Sequence, residues 1–185
     1  YIDSLTEAIG RARTVALASN SLLLRAVAYS ELQNFESAID DLNTYLHIDS
    51  TSVLALWQRA VCQSKQNQFL ASESPNADTK TPRSATLEDA LLTENVLGDL
   101  TLALRLAPEN AYLYYNRATL YASRKDYTKA IADYTRAIEL DAQLAEAWYN
   151  RGLCSIFAGN KSAGVSDLSK AGEMGLYTAY NLIKR

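Results

Sequence analysis

The feature that most constrains this chain is that it repeats itself at a fixed interval. The stretch "YYNRATL" at 114–120 returns 34 residues later as "WYNRGLC" at 148–154. Sliding the sequence by that interval aligns Tyr114 with Trp148, Asn116 and Arg117 with Asn150 and Arg151, and Ala118 with Gly152. Ala130 then meets Gly164, Asp133 meets Asp167, and Ala137 meets Ala171. Upstream, "LLLRAVAY" (22–29) and "LWQRAVCQ" (56–63) stand at the same separation, and "ESAIDDLNTYLHID" (36–49) has the cadence of "TKAIADYTRAIELD" (128–141). A self-similar period of this size means stacked supersecondary units rather than one layered domain.

Four units are read, over 19–52, 53–110, 111–144 and 145–176, flanked by 1–18 and 177–185. Each holds two apolar stripes of helical period, such as Leu22, Ala26, Tyr29 and Ala130, Tyr134, Ala137. Only seven Gly and three Pro in 185 residues argue against a protein built from many tight β turns. Small residues at Ala118, Ala130 and Ala137 let two helix backbones approach closely, with Tyr114, Tyr121 and Tyr134 filling the space around them. A single such pair is marginal in water, and stacking of pairs makes the core. The second unit is long because "LASESPNADTKTPRSAT" (70–86), rich in Ser, Thr, Pro and Asn, stands between its two helices. That composition reads as an inserted loop.

The pattern resembles the tetratricopeptide repeat family, of the bacterial type. The carriers are "AYLYYNRATLYASRKDYTKAIADYTRAIELDA" (111–142) and "AEAWYNRGLCSIFAGNKSAGVSDLSKA" (145–171), with aromatic and small residues at the family's offsets. Ala142 stands where the family usually has Pro, whereas the second unit keeps its Pro108. The first two units are degenerate, with Tyr45, Val96 and Gln63 in slots usually small or aromatic. The resemblance implies an all-α fold, a right-handed α-α superhelix (solenoid) of antiparallel helix pairs. Residues 3–13 look like the second helix of a preceding, truncated unit, and 177–185 like a C-terminal capping helix. The opening "YIDSLTEAIGRA", without a Met, reads as a piece of a longer protein. Apolar surface left uncovered at that end would favour self-association.

Two rows of charge recur once per unit. Arg25, Arg59, Arg117 and Arg151 lie on the first helices; Asp41, Asp99, Asp133 and Asp167 lie on the second. Matched numbers of opposite charge suggest a structural ladder of Arg–Asp pairs, since guanidinium suits a partly buried, bidentate carboxylate contact. The alternative, an anion-binding row, is opposed by the equal number of acids beside it. Whether each Arg reaches its own unit's Asp or a neighbour's is open at this level.

Little supports catalysis or a bound cofactor. Cys62 and Cys154 share one slot in units two and four and read as small buried hydrophobes. Units two apart cannot bring them within disulfide reach, and with a single His, His47, there is no four-ligand metal set. No phosphate loop, HExxH or nucleophile-elbow pattern occurs. A net charge of −3 gives no basic footprint for nucleic acid, and no apolar run is long enough to insert in a membrane. The expectation is no metal, no cofactor, and a partner that is a protein or peptide.

The family resemblance also implies where that partner would sit. In such arrays the first helices line the inner surface. By carry-over the partner-binding positions are Leu23 and Val27; Leu54, Trp57 and Val61; Tyr112, Tyr115 and Asn116; and Tyr149 and Asn150, with Thr119, Leu153 and Ile156 continuing the row. Exposed aromatics are frequent hot spots, and such a row suits an extended peptide or an amphipathic helix. Members that grip acidic chaperone tails use Lys, Asn and Arg on successive first helices. Here only Asn116 matches, while Trp57, Val61, Glu146 and Asn150 depart, so that subtype is not expected. The leading expectation is a non-catalytic interaction module or scaffold. A spacer without a groove ligand is the alternative, and a domain fused to chemistry elsewhere is the third.

Overall fold

A computed structural model describes residues 1–11, 15–72 and 87–183, and among them are ten α-helices and no strand. They are α1 (Ile2–Arg11), α2 (Val15–Glu31), α3 (Phe35–Ile48), α4 (Val53–Ser72) and α5 (Leu87–Leu106), then α6 (Ala111–Ser123), α7 (Tyr127–Leu140), α8 (Ala145–Phe157), α9 (Lys161–Glu173) and α10 (Thr178–Ile183). The fold is all-α, built of antiparallel helix pairs stacked as in a solenoid. It divides into two compact units, Tyr1–Leu106 and Ala107–Arg185. In the first, α2 pairs with α3 and α4 with α5, α3 packs on α4, and α1 covers α2. In the second, α6 pairs with α7 and α8 with α9, α7 packs on α8, and α10 closes against α9. The insertion expected over 70–86 lies outside the described residues from 73 onward; α4 runs through its first three positions.

The α2–α3, α6–α7 and α8–α9 turns each span three residues with one left-handed residue at the centre, and the sequence supplies their parts. In α6–α7 the Asp126 N–H donates to the Tyr121 carbonyl (2.9 Å) and the Lys125 N–H to the Ala122 carbonyl (2.9 Å). This is a Schellman closure, and it needs a left-handed residue between the helices. Gln33 (φ 59°), Lys125 (φ 61°) and Gly159 (φ 91°) occupy that position in their turns. The next residue at once caps the following helix: Asn34 accepts from Ser37 N, Asp126 from Lys129 N, and Asn160 from Ala163 N. Orphan carbonyls of one helix and orphan amides of the next are thus satisfied within four residues. On the return, Asp49 and Asp141 stop α3 and α7 in extended conformation, each carboxylate accepting from the amide two residues on, Thr51 (3.0 Å) and Gln143 (2.9 Å).

Helices within a pair meet through small side chains. Ala26, Ala38, Ala60, Ala118, Ala130 and Ala137 are all fully or almost fully buried. In α8–α9 the matched residues are Gly152 and Gly164, and the backbones come closer still. A Cβ on Gly164 would stand 2.6 Å from the Gly152 carbonyl oxygen. Around the α6–α7–α8 contact, buried Tyr134, Ile138, Leu144, Ala147 and Cys154 are flanked by Tyr114, Tyr121 and Trp148. At the C-terminal end the Tyr180 ring of α10 lies on bare Gly172, where a Cβ would come within 2.5 Å of Cζ. At the other end α1 turns Leu5 inward and presents Asp3, Ser4, Thr6, Glu7 and Gly10 to solvent. That face of α1 is polar, and Tyr1 beside it is exposed.

Candidate interaction faces

Each recurrent arginine is joined to the aspartate of its own helix pair. The Arg59 Nε and Nη2 donate to the two Asp99 oxygens (2.7 and 2.6 Å), those of Arg117 to Asp133 (2.7 and 2.9 Å), and those of Arg151 to Asp167 (2.8 Å each). Arg25 holds Asp41 in the same fork. These aspartates are buried, and the bidentate fork is the strong form of the contact. The third nitrogen reaches backward in three cases. Nη1 of Arg25, Arg59 and Arg151 donates to Thr6 (3.0 Å), Asn43 (2.8 Å) and Thr135 (3.1 Å) on the preceding second helix. One guanidinium therefore ties three helices. The hydrogen bond to the partner carboxylate raises the pKa of Arg25 and Arg117 further, against the opposing effect of burial. With both carboxylate oxygens engaged in all four, and the backward contact made in three, these cations are occupied by the scaffold.

In the first unit, the inner positions of α2 and α4 form an apolar face. Val27 and Leu54 are exposed, while Leu23, Trp57 and Val61 are half-buried. Leu24 is more exposed than its neighbour Leu23; helical period alone could not decide which of the two turns outward. The Trp57 indole nitrogen is buried with no partner among the described residues, and so is Gln63 Oε1. Gln63 is one of the residues that depart from the small or aromatic pattern of the repeat.

In the second unit the face is built from α6 and α8, which touch directly. Tyr112 is 54% exposed. Tyr115 is half-buried and does structural work. Its ring tilts on that of Tyr134 at 5.8 Å between centroids, and its hydroxyl accepts from Asn150 Nδ2 at 3.2 Å. The Thr119 hydroxyl lies 3.0 Å from that of Tyr134 and donates to the Tyr115 carbonyl. Asn116 spends its amide on the Tyr112 carbonyl at 2.6 Å. Tyr149, Leu153 and Ile156 pack, half-buried, against Leu168, Ala171 and Ala179 beside α10. Burial pushes the Tyr134 and Tyr115 hydroxyls up, and the negative charge of Glu146 adds to the shift of Tyr115. Glu146 is exposed on α8, one turn before Asn150. A shallow depression of about 760 Å³ opens beside Tyr112, walled by Pro108, Glu109, Asn110, Leu140 and Asp141.

The sulfur and imidazole groups are dispersed. Burial raises the thiol pKa of Cys62 and Cys154, which keeps both protonated and poor nucleophiles. His47 is exposed in the last turn of α3. Among the described residues no group of three or more His, Cys, Asp or Glu is placed to hold a metal ion. No described helix is long and apolar enough to cross a membrane.

Paired antiparallel helices, a contact of small residues, a left-handed turn residue and one arginine–aspartate fork per pair define an α-helical repeat protein. Residues 118–154 match the family model described as TPR repeat. Over that stretch the chain is similar to the tetratricopeptide repeat family. A curated relative, "Photosystem I assembly protein Ycf3" of Acaryochloris marina (strain MBIC 11017), is 31% identical over 78 residues, 40% of this chain and 47% of that protein. The chain thus spans about half the length of that relative. Among solved structures, MamA superposes with a TM-score of 0.75 at 18% identity, covering 97% of this chain and 89% of MamA. The first TPR domain of Spaghetti (RPAP3), solved with the HSP90 peptide SRMEEVD, gives 0.57 at 19% identity over 74% of this chain and 90% of that one. These likenesses to solved structures show the fold.

Proposed function

We propose that this chain is a non-catalytic interaction module, and that it holds a protein or peptide segment against the inner faces of its first helices. The observation that carries this reading is that first-helix positions of each unit leave apolar or aromatic side chains open, Val27 and Leu54 in the first unit and, separately, Tyr112 in the second. Side chains of this kind left in water are characteristic of contact surfaces rather than of a core. The polar groups support a scaffold rather than an enzyme. The recurrent aspartates are committed to arginine, and the two thiols are held protonated. A neighbour in fold that is bound to a peptide, and a relative named for assembly, fit the same reading. By it, Leu23, Trp57, Val61, Tyr115, Asn116, Tyr149 and Asn150 border the contact and hold its shape.

The test compares wild-type chain with Val27→Asp/Leu54→Asp and Tyr112→Ala variants as bait in a lysate of the source organism. All three positions are exposed, so the melting curves should match that of the wild type. A protein retained by the wild type and lost from either variant supports the module. Identical capture by all baits would favour the alternative, a spacer or assembly segment without a groove ligand.

A further inference from the structure

We propose that the first unit carries a second binding site, apart from the inner faces, which takes the tryptophan side chain of a partner protein into a cavity between α3, α4 and α5. The cavity measures about 330 Å³, and its walls include His47 of α3, Ser50 in the turn after it, Leu56 and Arg59 of α4, and Leu102 of α5. His47, Ser50 and Leu102 are exposed, so it reaches the surface. A volume of this size is at the small end of ligand pockets and suits one ring system.

The repeat itself shows what fits there. In the second unit α7, α8 and α9 restate the arrangement: Arg151 is forked to Asp167 and reaches Thr135, as Arg59 is forked to Asp99 and reaches Asn43. The turns match as well, since Asp49 and Asp141 end α3 and α7 in the same extended conformation and accept from the amide two residues on. Leu56 stands three residues before Arg59, and Trp148 three residues before Arg151. The Arg151 guanidinium lies 4.8 Å from the centroid of the Trp148 ring, whose Nε1 donates to the Ala142 carbonyl at 3.1 Å. Ser50 holds the place of Ala142, one residue after the aspartate. Leu56 supplies no ring, and the space that an indole fills in the second unit is the cavity of the first. The Arg59 side chain is correspondingly more open, 22% exposed against 17% for Arg151.

The fork to Asp99 uses N–H groups in the plane of the Arg59 guanidinium and leaves its face, onto which an aromatic ring is attracted. An indole adds one N–H donor for the Ser50 carbonyl. This chain does not offer that ring. Residues 70–86 contain no aromatic residue, Trp148 is committed to Arg151, and Trp57 is half-buried on α4 itself. The occupant therefore comes from another protein.

The experiment titrates the whole untagged chain with N-acetyl-tryptophanamide, which presents tryptophan as it stands within a segment. His47 is the one histidine of the sequence and lines the cavity, so its imidazole protons are a single NMR reporter at fixed pH. Those signals should shift saturably with the tryptophan amide and stay still with N-acetyl-leucinamide. The 1-methylindole analogue should bind about fivefold more weakly, the scale of one hydrogen bond. Leu56→Trp, which fills the cavity from within as Trp148 does, should abolish the shift. Intermolecular NOEs from the indole to the Leu56 and Leu102 methyls of the wild type give the same reading if that variant folds poorly. No saturable shift, an equal shift with the leucine amide, or a shift that persists in folded Leu56→Trp would overturn the site. Equal binding of the methylated analogue would overturn the choice of tryptophan, and tighter binding of free tryptophan than of the amide would overturn the protein partner in favour of a small molecule. None of these readouts involves Val27, Leu54 or Tyr112, so the site stands or falls apart from the groove.

Discussion

Two glycines in helix interiors should respond in opposite directions to the same substitution. Helix propensity alone gives Gly→Ala a gain of about 1 kcal/mol, because alanine restricts the unfolded chain and covers the backbone. A Cβ added to Gly98 on α5 would have nothing within 4 Å, so Gly98→Ala should realise about 0.5–1 kcal/mol of that gain. Gly164 on α9 is different. Its added Cβ would lie 2.6 Å from the Gly152 carbonyl oxygen and 2.5 Å from Ile156 Cγ1. The Ile156 side chain can rotate, but the carbonyl is fixed in α8, so the two helices must part. Overpacking of this kind costs about 1–3 kcal/mol, which outweighs the propensity gain and leaves a net loss of up to about 2 kcal/mol. The matched residues of α6–α7, Ala118 and Ala130, show that a slightly wider pair accommodates methyls at these positions. Urea unfolding followed by Trp148 fluorescence in a Trp57→Phe background reads the loss in the second unit; Trp57 in a Trp148→Phe background reads the gain in the first. Stabilisation by Gly164→Ala equal to that by Gly98→Ala would refute the close backbone approach and the register of α8 on α9.

Arg117→Ala should destabilise the second unit by about 2–3 kcal/mol in the same unfolding assay. The figure falls below that of a fully buried broken pair because water reaches both partners in part. The double variant Arg117→Met/Asp133→Leu should recover much of the loss, and a double variant no better than the single one would refute the argument. Lys125→Gly, which frees an L residue from φ 61°, should raise stability by about 0.5–1 kcal/mol, checked by the urea midpoint. Asp126 caps α7, and its hydrogen bonds to Lys129 hold its pKa below the ordinary aspartate range. A depressed folded-state pKa contributes stability that is present above the unfolded value and is lost as pH falls through the folded one. Asp126→Asn keeps the cap geometry and should flatten that acid limb; a melting temperature with unchanged pH dependence below the ordinary aspartate range would count against it.

Much of the fold was legible in the sequence because repetition multiplies a weak signal. The period, the two stripes per unit and the recurrence of small residues are one-dimensional patterns, and helical geometry turns them into faces without further information. The pairing class of Arg and Asp was legible for the same reason. Which Asp each Arg takes was not, since Asp41 and Asp133 follow their arginines by 16 residues while Asp99 lies 40 residues from Arg59. Only the packed pair brings them together. The third nitrogen's reach to Thr6, Asn43 and Thr135 had no sequence signal, because it depends on how one pair stacks on the helix before it. The face was legible as a set of positions and not as a surface. Tyr112 and Tyr115 are read alike from their period, yet one stands in water and the other is wedged against Tyr134 and tied to Asn150. Sequence by itself determined the repeat, the paired helices and the positions at which small, aromatic and charged residues recur. Tertiary structure decided which of those side chains are spent on holding the stack and which are left over to meet a partner, because burial and hydrogen-bond saturation are properties of neighbours that the linear chain does not place.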